Sequence, residues 1–433
     1  MTEMVDQVRV SAIAEKVSAR LQRRYAIEKR FRLYGITSIV VALGFLAVLL
    51  ISIISQGYTA FVQAEVQLPI TFDATVIDPD GTHSKTALSS ADYASLIRTA
   101  LTARFTDADD RSGRRELMAL VSQGADLEIR KLVLDDPSVI GTTRTLWLPV
   151  AASVDQLLKG HMSRDADKGG QFTTRQLAWI DDLSASGNLK ARFNKWLFTA
   201  GDSRQPELAG VWGAVVGSFY SLVVTLALSF PLGVATAIYL EEFATRNRWT
   251  DIIEVNINNL AAVPSIVFGL LGLEIFLNVF NLPRSAPFVG GLALTLVSLP
   301  TIIIAARVAL KAVPPWIREA ALGLGASRLQ MVMHHVLPLA MPGILTGTII
   351  GMARAVGESA PLLMIGMVAF IVDVPASPMD PSTALPVQIY LWAASPERAF
   401  VERTSAAIIV LLCFLALMNA TAIYLRKKFE RRW

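Results

Sequence analysis

The chain has 433 residues, 53% apolar and 18% charged, with a mean hydropathy of +0.47 and a formal net charge of +4. Those proportions exclude an ordinary soluble domain and fit a protein of several membrane spans with a soluble insert. The single cysteine, Cys413, excludes an intramolecular disulfide and a cysteine metal site, and the four histidines (His83, His161, His334, His335) form no ligand set, so no metal or cofactor is expected.

Residues 1–32 are polar and basic, with Arg20, Arg23, Arg24, Lys29, Arg30 and Arg32 beside the first apolar run. They read as a cytoplasmic segment that fixes orientation, although the weakly amphipathic pattern also suits a helix on a lipid surface. Residues 33–56 are long enough to cross about 30 Å of hydrocarbon. The basic leader is too long for a cleaved signal peptide, so an uncleaved anchor is expected. Residues 57–205 hold no spanning run and are numerous enough to bury a core of their own. Val66, Leu68, Ile70 and Phe72 alternate with polar residues or proline, which predicts a half-buried strand. Helical patterns follow at 91–105, at 114–122 before Gly124, and at 148–158 before Gly160, giving an α+β insert. The acidic runs at 78–80 and 107–110 lack the spacing of a calcium loop and read as solvated turns.

Apolar runs resume within a core at 206–425, as spans at 211–240, 257–280, 287–310, 343–371 and 405–425. With the first, these make an all-α polytopic membrane protein of six transmembrane helices. Pro231, Pro264, Pro300 and Pro361 fall inside these runs, which argues for a packed bundle with a path through it. Arg246, Arg248, Arg307, Lys311, Arg318 and Arg328, with Arg426, Lys427, Lys428, Arg431 and Arg432 in the tail at 426–433, load one side of the membrane. Only Arg284, Arg398 and Arg403 fall in the short loops of the other side. Both termini and the loop at 313–341 are therefore expected in the cytoplasm, and the insert outside.

Two stretches carry chemistry. Gly343, Gly347 and Gly351 recur every four residues, a stripe that lets another helix approach closely. Arg354 and Glu358 fall on the same face, and an arginine at membrane depth costs about 2.5–3.5 kcal/mol. A plain ion pair stapling the bundle is one reading. The other is an oxyanion site in a water-lined path, the planar guanidinium fork matching phosphate or carboxylate oxygens. Glu358 would orient Arg354, temper its affinity so that the anion leaves, or accept a proton, and the sequence leaves these open. The stripe also places Arg354 against a further helix, which suggests a site shared with a second subunit.

The second stretch, REAALGLGASRLQMVMHHVLP, resembles the cytoplasmic signature of permeases of ATP-binding-cassette importers. Glu319, Ala320, Ala321, Gly325, Leu337 and Pro338 match its spacing, and His335 departs from it where isoleucine is usual. The resemblance implies a type I importer permease fold with this loop as a coupling helix, in which Arg318, Glu319, Ala320, Ala321 and Gly325 engage an ATPase subunit. PLGVATAIYLEEFA and MARAVGESAPLL look like the phosphate importer permeases of the PstA type, over about residues 206–430. What this implies is a heterodimer with a PstC-like permease, a cytoplasmic ATP-binding-cassette ATPase dimer and a periplasmic phosphate-binding protein, in a bacterial inner membrane and with no nucleic acid. No phosphate-cradling Gly-x4-Gly-Lys-Ser/Thr motif is present, so a separate chain is expected to hydrolyse ATP. A permease for molybdate or sulfate, and a membrane receptor with an outer sensing domain, are the alternatives.

Overall fold

The structure is a computed structural model that describes residues 2–79, 81–164 and 171–429, with side chains from Leu21 onward except at 22, 23 and 429. Asp80, Arg431, Arg432 and the side chains of Arg20 and Arg23 lie outside the described residues.

The N-terminal unit is one helix, α1 (Thr2–Gly57), so the basic segment and the first span are continuous. At 1.5 Å per residue its 56 residues reach about 84 Å, far more than a bilayer core. The basic residues therefore continue the helix of the span.

The insert is built on a three-stranded antiparallel sheet in the order β2-β1-β3, from β1 (Val62–Thr71), β2 (Thr143–Pro149) and β3 (Leu189–Phe193). Val66 pairs with Leu148 on one side and Leu189 on the other. Val66, Leu68, Ile70 and Phe72 are buried, as their alternation predicts. They pack under helices that include α2 (Ala74–Ile77), α3 (Lys85–Ser90), α4 (Tyr93–Arg104), α5 (Arg111–Met118), α6 (Ala125–Asp135), α7 (Ala152–Leu158) and α8 (Thr174–Ala185). Two helical expectations shift. The run expected at 148–158 divides into the end of β2 and α7, because Leu148 faces the sheet core. The helix expected at 114–122 is α5, which starts at Arg111 after Asp110, and Gly124 instead precedes α6. Ser112 and Arg175 hold the Asp110 carboxylate near a pKa of about 2, so that turn stays charged.

After α9 (Lys195–Thr199) come the membrane helices α10 (Trp212–Ile238), α11 (Arg248–Ala262), α12 (Ser265–Gly272) and α13 (Pro287–Lys311). The chain continues through α14 (Pro315–Gly323), α15 (Arg328–Met331), α16 (Leu337–Gly357), α17 (Ala360–Met364), α18 (Leu385–Ala393) and α19 (Ala399–Phe429). Among the described residues five helices are long and apolar enough to span, or six if a bent pair counts as one. That pair corrects the span expected at 257–280. Pro264 has no N–H and forces Val263 extended, so α11 and the helix from Ser265 to Val279 meet at 101°. The span expected at 343–371 is corrected too. Helix runs from Arg328 to Gly357 and stops, so the loop expected at 313–341 ends at Ser327. Pro338 does not interrupt this helix. A π-helical turn at Val332–Val336 precedes it and makes room for the proline ring in the helical path.

Helix α13 is enclosed by α10, α12 and α16. Here the glycine stripe does its work. A Cβ at Gly343 would sit 2.7 Å from the Ala309 Cβ, one at Gly347 2.1 Å from the Ala305 Cβ, and one at Gly351 3.4 Å from Ile302. The helix that the stripe admits is therefore α13 of the same chain, so the stripe is no ground for the shared site that the sequence suggested. Gly347→Ala forces the two helices apart, at about 1–3 kcal/mol. The purified chain should melt at a lower temperature, while Gly44→Ala, which meets nothing within 4 Å, should leave the midpoint unchanged.

The insert is joined to the core by a buried polar seam. Lys159 bridges Asp155 at 2.7 Å and Glu402 of α19 at 2.8 Å, and Gln156 donates to the same Glu402. Arg403 is 3% exposed and its Nη2 donates to the Glu207 carbonyl at 3.4 Å, so it is no loop residue. Glu207 accepts from Ser122 at 2.6 Å. Burial lifts the Glu207 carboxyl above its ordinary value of 4.5, against the opposing Ser122 hydrogen bond and Arg403 charge and with Glu397 adding to the rise. The folded seam thus holds a proton that the unfolded chain releases sooner. Stability is greatest below the ordinary glutamate value and falls as pH climbs toward the folded one. Glu207→Gln should make that fall shallower in melting midpoints taken from about pH 5 to 8.

Candidate anion site and coupling end

The contacts of the stripe fix the depth of the charged pair. Gly343 lies level with Ala309, Gly347 with Ala305 and Gly351 with Ile302, so the two helices run antiparallel in constant register. One turn on, Arg354 comes level with the residues about Ser298, the middle of a helix running from Pro287 to Lys311. Helix α16 breaks at that level. Gly357 is its last residue and Glu358 is extended, at φ −80° and ψ 112°. Pro361 then sits in the first turn of α17, where a proline without an N–H is well placed.

Arg354 and Glu358 are brought together across this break, Nε to Oε1 at 3.4 Å. Their side chains are 48% and 20% exposed, so the guanidinium projects from the packed face rather than into it. Being in the last turn, Arg354 also offsets the partial negative charge of the helix end. The arrangement leaves most guanidinium donors free to take an oxyanion, on backbone that leaves helical geometry at mid-depth. Irregular backbone at that depth is tolerated where it is covered by protein or lines water. Glu274 is a further carboxylate within an apolar run. It lies on the π-helical turns after α12, exposed and accepting from Asn278 at 2.8 Å.

At the other end lies the short helix α14. Gly325 at φ +89° closes it, and the Ala326 N–H to Ala321 carbonyl bond completes a left-handed helix stop. Glu319 and Ala320 are exposed, whereas Ala321 is buried against the core between α10, α13 and α16. Arg318 does not face outward. Its Nη2 donates to Glu242 at 2.7 Å and to the Leu310 carbonyl at 2.9 Å, and its Nη1 to the Val313 carbonyl at 2.7 Å. Nearby, Arg307 joins Glu241 at 2.6 Å and Glu254 at 3.0 Å. The guanidinium of Arg318 thus ties α14 to the ends of two membrane helices, adding donors to the carbonyls where α13 ends. The sequence shows Glu241, Glu242 and these arginines but not which of them pair.

Residues 229–433 match a family described as binding-protein-dependent transport system inner membrane component, and residues 18–168 match a domain of unknown function. The phosphate transport system permease protein PstA 1 of Mycobacterium tuberculosis is 33% identical over 223 residues, covering 52% of this chain and 72% of that protein. Its counterpart PstA in Mycobacterium leprae is 32% identical over 260 residues, covering 59% and 84%. That of Haemophilus influenzae is 30% identical over 236 residues, covering 54% and 81%. Among solved structures, a chain of the MetNI methionine ABC transporter in an inward-facing form is 19% identical, with a TM-score of 0.41, over 51% of this chain and 95% of that one.

Proposed function

The chain belongs to the PstA family of phosphate transport system permeases, and we propose that it moves inorganic phosphate across a bacterial inner membrane by alternating access. It is a transport subunit and not an enzyme; a separate ATPase hydrolyses ATP. The observation that supports the anion path is the Arg354–Glu358 pair at a helix break halfway along α13. Arg354 binds the phosphate oxygens through its fork, and Glu358 keeps the guanidinium aimed while lowering its hold on the anion. The partners are a PstC-like permease completing the path, an ATPase dimer seated on the exposed side of α14, with Glu319 as the charged contact, and a periplasmic phosphate-binding protein. Both termini lie in the cytoplasm and the insert outside, where it serves as a platform for the binding protein or the partner permease. Membership of this family counts against a membrane receptor and favours phosphate over molybdate or sulfate.

The test is ATP-driven uptake of labelled phosphate into proteoliposomes holding the assembled transporter. Unlabelled phosphate should compete, and sulfate and molybdate should not. Equal competition by either of those anions would remove the phosphate assignment.

A further inference from the structure

A cavity of about 1010 Å³ opens between the insert and the outer end of the core. Arg354 is not among the residues that line it. Three exposed arginines line it from three different segments: Arg115 on α5, Arg204 in the linker before α10, and Arg398 just before α19. None of the three pairs with a carboxylate among the described residues, whereas other insert arginines, such as Arg104 and Arg192, do. The cavity also carries acids. Glu207 is occupied by Ser122, and Glu397 makes no ion pair with Arg398 among the described residues. Asp126 keeps one buried carboxylate oxygen with no hydrogen-bond partner in the chain. The lining also includes the apolar side chains of Ile97, Met118 and Met162.

We propose that this cavity binds a small organic phosphomonoester. Three guanidinium forks suit the several oxygens of a phosphoryl group better than a single carboxylate. The apolar residues lining the same cavity, Ile97, Met118 and Met162, favour a ligand with an apolar body over bare phosphate. The ligand would rest on Gln156 and Glu207, whose other contacts are Glu402 and Arg403 on α19. Occupancy is thereby placed next to a membrane helix.

The experiment is calorimetric titration of the full-length chain in detergent with phenyl phosphate, inorganic phosphate and phenol. Phenyl phosphate should bind, and phosphate and phenol each at least about tenfold more weakly. The Arg115→Gln/Arg398→Gln double variant should lose about tenfold or more of the phenyl phosphate affinity with an unchanged melting midpoint, since both side chains are exposed. Arg354→Gln should keep that affinity, which separates this site from the transport path. Equal binding of phosphate would overturn the organic ligand. Absence of phenyl phosphate binding, or binding indifferent to the two arginines, would overturn the site.

Discussion

Arg354→Gln is expected to cut ATP-driven phosphate uptake by about 100-fold or more, and Arg354→Lys by about tenfold. A charge-assisted hydrogen bond contributes about 1.5–3 kcal/mol, and a fork that holds two phosphate oxygens makes two of them. At about 1.4 kcal/mol per tenfold, losing both exceeds a factor of 100. Lysine keeps the charge and loses the planar pair of donors, so it retains part of the rate. A simple staple between Arg354 and Glu358 leads to a different outcome. The Arg354→Gln/Glu358→Gln double variant would then recover uptake, because no unpaired charge is left at mid-depth. If Arg354 holds the anion, the double variant stays as slow as the single one. Wild-type uptake by both Arg354→Gln and Arg354→Lys would sink the role of the guanidinium altogether.

How much of this was legible in the sequence depends on whether a feature is local. The central strand of the insert could be read because Val66, Leu68, Ile70 and Phe72 are buried on one side of a sheet, and a period of two reports that directly. The stop at Gly325 could be read because a left-handed helix end needs glycine. The end of α16 could not. Gly357, Glu358 and Ser359 sit inside an apolar run, and hydropathy averages over the break that puts Arg354 at the end of a helix. The glycine stripe was visible and its partner was not, since periodicity marks a face without saying which helix fills it. Ala305 and Ala309 on α13 complete it by their small size. The seam between insert and core was the least accessible feature. Lys159 and Glu402 are 243 residues apart, and each alone looks like an ordinary surface charge.

Removing the Arg318 guanidinium should uncouple ATP hydrolysis from transport. The exposed side of α14 is where force from the ATPase would enter, and Arg318 fastens that helix to the rest of the chain. Three of its hydrogen bonds leave in different directions, to the carboxylate after α10 and to the Leu310 and Val313 carbonyls at the end of α13. Helix α13 in turn carries the glycine-packed face of α16, whose far end holds Arg354. A displacement of α14 therefore reaches mid-membrane through α13 without crossing a flexible segment. Glu242 is 6% exposed on its side chain and Arg318 is 22% exposed, so water competes weakly for the pair. In Arg318→Met, α14 can shift without dragging α13, whereas Glu242→Gln leaves the two carbonyl bonds to α13 in place and should lose less. Hydrolysis by the assembled Arg318→Met complex should stay within about twofold, while uptake per ATP falls about tenfold, the equivalent of about 1.4 kcal/mol of lost coupling. The charge-swapped Arg318→Glu/Glu242→Arg chain should recover only part of it, because glutamate cannot donate to the two carbonyls. Uptake per ATP unchanged in both single variants would mean that force reaches Arg354 by another route.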